Sequence, residues 1–361
     1  MKNPRGLVLP LVGLLASAHC VLRADTRDDA IVALMQKRNV PGLSLAVVAE
    51  GRIVRARGYG VIESGGSTPV TEHTLFQAGS VSKPVAAFGA LRPVDSGRLS
   101  LDANVNAALK SWKVPENEFT ATEKVTLRRL LSHTAGLTVH GFPGYAVGAT
   151  QPNLVQVLSG EKPANTPAVR ADIVPGSKWR YSGGGYTAMQ QLVIDVSGRP
   201  YPEFMHDTVL EPLGMLAGTF EQPLSQADAA KTATDHFQRA PVKGRWPVYP
   251  EMAAAGLWTT ASDLARFELA PTSPMGKSVA SIFNPNRPTR PARWLDYILC
   301  TLPFFSPGRL GCFRFFCSHR SPPRPRLPQY VRRWFFPRSA WKCRCRASNK
   351  SASSTACATS G

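Results

Sequence analysis

The sequence has no cysteine between residues 21 and 299. Six of its seven cysteines follow residue 299, and Cys20 stands near the N-terminus. The central part of the chain therefore needs no disulfides to fold, which excludes no cellular compartment. Long apolar runs are also missing, and the run at residues 7–18 is too short to cross a bilayer as a stable helix. We therefore expect no transmembrane segment.

Acidic residues are almost absent from the C-terminal part of the sequence. After residue 270 the chain has 13 arginines and three lysines but one acid, Asp296. The first 270 residues carry 27 basic and 23 acidic residues, an ordinary balance for a globular protein. The formal net charge of +19 is therefore a property of the tail, and it does not mark the whole protein as nucleic-acid binding.

The N-terminus has the pattern of a secretory signal. Lys2 and Arg5 precede the apolar run, and Ala16-Ser17-Ala18 forms a cleavage site of the A-x-A type. We therefore predict a signal peptide over residues 1–24 and a periplasmic or secreted protein, with no transmembrane segment after signal removal. Cys20 would permit a lipid anchor, but His19 precedes it where a small residue is expected.

The rest of the chain divides at residue 270. Residues 25–38 have the pattern of an amphipathic helix, residues 43–49 that of a buried strand, and residues 52–58 that of its hairpin partner across Glu50-Gly51. Helices are predicted over 85–94, 127–133, 189–196, 201–210 and 264–270. This order predicts an α+β fold for residues 25–270, with an antiparallel sheet flanked by helices and an inserted helical region.

The segment Ser80-Val81-Ser82-Lys83 is the strongest chemical signal in the chain. Ser80 and Lys83 are three residues apart, so a helix places them on one face. Gly79 precedes the serine and allows close approach of a ligand to the backbone. A buried lysine beside the serine loses its proton more easily and can activate it. The pattern therefore predicts a serine nucleophile.

A second candidate element follows at residues 181–186. Tyr181 stands just before a run of three glycines, a composition that suits a loop lining a cleft. Gly183 and Gly184 would leave room for a substrate there. Tyr181 could share a proton with Lys83 and act as a general base. The alternative is a tyrosine that packs over a flexible turn.

Five segments in this order resemble the serine β-lactamase and penicillin-binding protein superfamily, especially its class C branch and the β-lactamase-like carboxylesterases. They are residues 76–83 (FQAGSVSK), 130–137 (LLSHTAGL), 181–186 (YSGGGY), 211–215 (EPLGM) and 255–264 (AGLWTTASDL). The resemblance implies a β-lactamase/transpeptidase-like fold. It also implies an acyl-enzyme mechanism on small esters, D-amino-acid peptides or β-lactams, with no metal or cofactor. The oligomeric state stays open.

The resemblance assigns roles to individual residues. Ser80 would be acylated, Lys83 would be its proton partner, Tyr181 would be the general base, and Gly183 and Gly184 would line the substrate. The N–H group of Ser80 would form half of an oxyanion hole. His133 belongs to a segment that is structural in the family, so we expect a capping or packing role for it.

The sequence departs from the family pattern in two places. The second motif of the family usually reads Y-x-N, and Gly183 stands where the asparagine would be. This favours an esterase or peptidase over a β-lactamase. The third motif, K-T-G or H-x-G, is not found after Ala270, and His140-Gly141 comes too early in the chain. The strand that would carry this motif, with a second oxyanion donor, is therefore missing from the predicted fold.

Residues 271–361 form an atypical tail with 12 prolines. We interpret it as the product of a frame shift near residue 270, which translation of the other two reading frames tests. The alternatives are a basic arm that binds RNA and a zinc site, whose candidate ligands are Cys312, Cys317, His319, Cys343 and Cys345. We expect no nucleic-acid partner. The rival to a working hydrolase is an inactive, truncated family member.

Overall fold

The computed structural model describes residues 15–237, 240–270, 273 and 275–277, with side chains described from residue 27 onward. The start of the predicted signal peptide and nearly all of the tail, with its proposed frame shift, zinc site and basic arm, lie outside these residues. Among the helices that are described, none has the length and apolar composition required to cross a membrane.

The described residues contain helices and short antiparallel strands. The helices are α1 (Leu15–Arg38), α2 (Ser82–Asp95), α3 (Leu127–Leu131), α4 (Leu154–Ser159), α5 (Gly183–Ser197), α6 (Tyr201–Met205), α7 (Gln226–Ala229), α8 (Met252–Ala255) and α9 (Ala261–Leu269). The strands are β1 (Gly42–Ala49), β2 (Arg52–Gly60), β3 (Phe76–Gln77), β4 (Tyr145–Ala146), β5 (His236–Phe237), β6 (Ala240–Pro241), β7 (Pro247–Val248) and β8 (Trp258–Thr259). The α+β composition agrees with the prediction.

The two long strands form the predicted hairpin. β1 and β2 pair antiparallel from Gly42 opposite Gly60 to Ala49 opposite Arg52. Glu50 and Gly51 both have positive φ angles, 52° and 73°, as a two-residue turn that follows the strand twist requires. The side chains of β1 are mostly half-buried, so the prediction of a fully buried strand is wrong. Helix α9 packs against the hairpin.

The core of the described region lies between α2, α5 and α8, which pack against one another. Residues 82–91 of α2 are buried without interruption, and Phe88 and Leu91 are fully inaccessible. From α5, Tyr186 and Met189 enter the same core. The helix that carries Lys83 is therefore at the centre of the hydrophobic core. Residues at its N-terminus are held in place by the packing of the buried helix behind them.

Several helix boundaries differ from the prediction: α1, α2 and α9 begin earlier than expected, at residues 15, 82 and 261, and α6 ends at Met205 rather than at residue 210. Two further differences lie close to the site. α3 starts as expected, since the Thr126 hydroxyl accepts a hydrogen bond from the N–H of Arg129, but it ends at Leu131 because His133 adopts a left-handed φ of 59°. α5 starts at Gly183, six residues earlier than predicted. The Ser182 hydroxyl caps this helix by accepting the N–H of Gly185 at 2.9 Å.

Candidate active site

Ser80 and Lys83 stand at the start of the central helix. β3 pairs with β8 and leads into Gly79, whose φ of 52° turns the chain into a single 3₁₀ turn, Gly79–Val81. α2 begins at the next residue. Lys83 Nζ lies 3.2 Å from Ser80 Oγ, within hydrogen-bond distance. The predicted serine–lysine pair is therefore formed.

Tyr181 reaches the same serine from a distant part of the sequence. It precedes α5, which packs against α2, and its hydroxyl lies 2.8 Å from Ser80 Oγ. The structure thus brings Ser80, Lys83 and Tyr181 together around one oxygen atom. Such an arrangement can take the proton of a serine hydroxyl and return it to a leaving group.

The Lys83 amine is enclosed by protein. Its side chain is 4% exposed, and Nζ donates a 2.7 Å hydrogen bond to the carbonyl oxygen of Ala254 in α8. Nζ also lies 4.9 Å from the centre of the Tyr181 ring. Burial disfavours the ammonium form and lowers the pKa of Lys83 to about 7. Near neutral pH, much of this lysine is therefore an uncharged amine that can accept a proton.

The Tyr181 phenol responds to burial in the opposite direction. It is 6% exposed, and burial raises its pKa to about 12, although the hydrogen bond with Ser80 offsets part of this rise. The anionic form of Tyr181 is therefore disfavoured at neutral pH. Of the two groups beside Ser80 Oγ, Lys83 is the better proton acceptor.

His133 supports Tyr181 from inside the protein. Its Nδ1 accepts the N–H of Ser182 at 3.2 Å, and its ring centre lies 4.4 Å from that of Tyr181. Burial lowers the pKa of His133 to about 3, so the ring is neutral at physiological pH. The expected packing role of His133 fits this geometry, because its ring packs against the ring of Tyr181.

Gly183 and Gly184 lie in a helix rather than in a loop. Both are buried in the first turn of α5, and their N–H groups donate to the carbonyl oxygens of His140 and Val139. A Cβ atom on Gly184 would lie 2.7 Å from the carbonyl oxygen of Thr138. The structure therefore corrects the prediction of a loop at residues 183–184, because both glycines belong to a helix and allow residues 138–142 to pack closely against it. Their contact with a substrate stays a prediction.

This close packing gives a prediction for stability. Gly184→Ala is expected to lower the free energy of unfolding by about 1–3 kcal/mol, because the added methyl group collides with the loop. Gly185→Ala is the matched control, since its Cβ would meet no atom closer than 3.5 Å. That variant should be neutral or stabilised by about 0.5–1 kcal/mol, because alanine favours the helix. Urea unfolding distinguishes the two, and equal shifts would contradict the account.

Sequence reasoning missed two contributors to the site. The Ala254 carbonyl, which holds Lys83, is a backbone group and has no sequence signal. His140 was set aside as too early in the chain to serve as the third motif. In the structure its exposed ring lies 4.8 Å from the ring centre of Tyr181. The histidine just before Gly141 was the available signal, but only the fold shows which residue it meets.

A metal or cofactor pocket is not evident at this serine. Among the described residues, one group of three side chains is close enough to bind a metal ion: His206, Asp207 and Glu211, all exposed. Asp207 is already paired with Arg199 at 2.7 Å. A cavity of about 640 Å³ lies between α1, the β1–β2 hairpin and residues 233–236, and it is not lined by Ser80, Lys83 or Tyr181.

Comparison with known proteins identifies the fold and its family. Residues 27–294 match the model of the family described as Beta-lactamase. The chain belongs to the β-lactamase family. This match confirms the resemblance on which the site residues were predicted, and it continues 24 residues beyond the boundary predicted at residue 270.

Three curated relatives differ in their named activities. The chain is 29% identical over 247 residues to penicillin-binding protein 4 of Amycolatopsis lactamdurans, and the match covers 65% of this chain and 60% of that protein. It is 28% identical over 240 residues to a β-lactamase of Pseudomonas fluorescens, covering 66% and 62%. It is 29% identical over 215 residues to esterase EstB of Burkholderia gladioli, covering 57% and 53%. The chain thus spans less than two thirds of each relative.

Solved structures of the family confirm the predicted fold class. A class C β-lactamase superposes with a TM-score of 0.54 at 26% identity, over 71% of this chain and 68% of that one. An octameric penicillin-binding protein homologue from Pyrococcus abyssi gives 0.53 at 25% identity, over 69% and 56%. The α+β, β-lactamase-like architecture is therefore established. The predicted absence of C-terminal strands concerns residues outside the described part of the chain.

Proposed function

We propose that this protein is a serine hydrolase that forms an acyl-enzyme on Ser80. The observation that carries the proposal is the convergence of Lys83 Nζ and Tyr181 Oη on Ser80 Oγ, at 3.2 Å and 2.8 Å. A serine hydroxyl is a weak nucleophile until a neighbouring base removes its proton. The buried lysine is such a base, and it is held in place by the Ala254 carbonyl.

The proposed reaction assigns the proton to Lys83. Ser80 Oγ attacks the carbonyl carbon of the substrate while its proton passes to the neutral amine of Lys83. The bond to the leaving group then breaks. The Tyr181 hydroxyl, which lies beside Ser80 Oγ, gives its proton to the departing oxygen or nitrogen and takes the proton held by Lys83. Water then attacks the acyl carbonyl carbon and gives a proton to the same amine. The bond between the acyl carbon and Ser80 Oγ breaks, Lys83 returns the proton to Ser80 Oγ, and the acid is released.

The tetrahedral oxyanion needs hydrogen-bond donors near Ser80. The N–H groups in the first turn of a helix have no partner inside that helix. Ser80 is in the 3₁₀ turn that leads into α2, so its own N–H is available for this purpose. One donor is typically worth about 10²–10³ in rate, so a site with one donor works more slowly than a site with two.

The proposed substrate classes rest on the relatives and on the residue at position 183. Three named activities occur among the relatives: a penicillin-binding protein, a β-lactamase and an esterase. Gly183 provides no side-chain amide at the position where the β-lactamase motif has one. We therefore place small esters and D-amino-acid peptides first and β-lactams second. The proposed setting is the periplasm or the cell exterior, on the basis of the N-terminal signal pattern.

The pKa of Lys83 predicts the pH dependence of acylation. The reactive form is the neutral amine, whose fraction increases as pH rises through about 7. The acylation rate should therefore fall about tenfold per pH unit below pH 7 and level off above it. Because the pKa of Tyr181 is raised to about 12, no second decline is expected up to pH 10. A rate that is flat from pH 5 to pH 8 would contradict Lys83 as the base.

Burst kinetics with a p-nitrophenyl ester test the proposed function. Acylation releases one equivalent of nitrophenol per active site before the slower steady state, which is the kinetic sign of an acyl-enzyme. We expect a burst equal to the concentration of folded protein. Steady release without a burst, or no release from folded protein, favours a direct hydrolase or the inactive family member instead.

A further inference from the structure

The loop that follows Gly136 is strained at the point where it meets α5. Val139 has a φ of 61°, a conformation that β-branched residues rarely adopt. Such strain persists only where the surrounding contacts hold it, and it is concentrated at functional sites. Here the loop carries an exposed histidine, His140, directly after the strained residue.

Three hydrogen bonds hold the loop in this conformation. The carbonyl oxygen of Thr138 accepts the Ser182 hydroxyl at 2.8 Å. The carbonyl oxygen of Val139 accepts the N–H of Gly184 at 2.9 Å. The carbonyl oxygen of His140 accepts the N–H of Gly183 at 3.1 Å. Because all three donors follow Tyr181 immediately in sequence, the loop is fixed relative to that tyrosine.

The loop also fills the space that a side chain on Gly183 would take. A Cβ atom on Gly183 would lie 3.0 Å from the Phe142 ring and 3.1 Å from the His140 carbonyl oxygen. An asparagine at position 183 would therefore be crowded by the loop. The loop instead places the imidazole ring of His140 beside Tyr181, with ring centres 4.8 Å apart.

We propose that His140 is a positioning residue of the active site, which holds the Tyr181 hydroxyl against Ser80 from the solvent side and compensates for the side chain that Gly183 lacks. This inference rests on the proposed function of Ser80. Tyr181 is then held by two imidazole rings, the buried His133 at 4.4 Å and the exposed His140 at 4.8 Å. Ring contact fixes the direction of the phenol and leaves its hydroxyl free to bond Ser80.

Two variants of His140 show whether its effect on acylation comes from the contact between the rings or from the imidazole nitrogens. His140→Phe keeps a flat ring against Tyr181, whereas His140→Ala removes it. Neither substitution removes a donor or an acceptor of the three hydrogen bonds that hold the loop, so both variants should fold. His73→Ala is the control, since the His73 side chain is 84% exposed on another loop. Burst kinetics give the acylation rate constant and KM separately, and urea unfolding checks that each variant is folded.

We expect His140→Ala to lower the acylation rate constant about 10–100-fold with little change in KM, because a small misplacement of a catalytic group is costly. His140→Phe should stay within about fivefold of the parent, and His73→Ala should be unchanged. Acylation of His140→Ala at the parent rate overturns the inference. Equal losses in both His140 variants overturn it too, since they assign the effect to the imidazole nitrogens. If the folded parent protein releases no nitrophenol and forms no adduct on Ser80, the proposed function fails, whereas a reactive parent with an equally reactive His140→Ala variant refutes the inference alone.

Discussion

Ser80→Ala is expected to reduce turnover of an ester substrate by about 10⁴-fold or more, to the level of the uncatalysed reaction plus whatever binding contributes. The variant removes the oxygen atom that both Lys83 Nζ and Tyr181 Oη contact. Neither of these groups has the geometry to replace it, because the lysine is fixed on the Ala254 carbonyl. Steady-state rates with p-nitrophenyl acetate provide the measurement.

Ser82 provides a matched control within the same motif. Its hydroxyl donates to the Gly79 carbonyl at 2.6 Å and accepts the N–H of Leu257 at 2.9 Å. It is fully buried and has no role in the proposed chemistry. Ser82→Ala should therefore lower the free energy of unfolding by about 1–3 kcal/mol and keep the burst of the folded fraction. Loss of the burst in folded Ser82→Ala with retention in Ser80→Ala would reverse the assignment.

Lys83→Met is expected to lower the acylation rate by about 10²–10⁴-fold at pH 8, because the proton acceptor is lost while side-chain length is kept. The pH dependence below pH 7 should disappear with it, since that dependence reports the lysine. Lys231→Met is the control, because Lys231 is an exposed residue whose amine lies 3.5 Å from the Asp228 carboxylate. A Lys83→Met variant with the parent pH profile would exclude the lysine as base.

The same substitution should change how stability depends on pH. In the folded protein the pKa of Lys83 is about 7, while the unfolded chain keeps the ordinary value of 10.5. Between these values the unfolded state binds one proton more than the native state, so stability rises with pH by up to about 1.4 kcal/mol per unit. Below pH 7 both states are protonated and this contribution is constant. Lys83→Met should lose the rise between pH 7 and 10, which urea titrations at several pH values can detect.

The serine and lysine of the site were predictable because they belong to one helix turn. In a helical segment, a spacing of three residues places Ser80 and Lys83 on the same face, and this needs no knowledge of the tertiary structure. The hairpin turn at Glu50-Gly51 was predictable for the same reason, since it depends on local backbone chemistry. The assignment of Tyr181 to the site depended on the family resemblance, because Tyr181 and Ser80 are 101 positions apart in the sequence.

The glycine run was misjudged and the contact of His140 with Tyr181 was missed, because both depend on tertiary packing. Three consecutive glycines normally favour a loop over a helix. In the structure the close approach of the loop at residues 138–142 leaves no room for a Cβ on Gly184 and little for one on Gly183, which favours glycine at both positions of the helix. His140 contacts a residue 41 positions away, and no local pattern shows that contact. Both errors have the same cause, which is one loop packed against the start of α5.

Covalent labelling tests the central claim most directly. The full-length protein is treated with a fluorophosphonate probe, digested, and analysed by tandem mass spectrometry to locate the modified residue. The account predicts one adduct on Ser80, formed more slowly below pH 7 and absent from the Ser80→Ala variant. Folded protein that stays unlabelled, or an adduct on Ser82 or another residue, would contradict it.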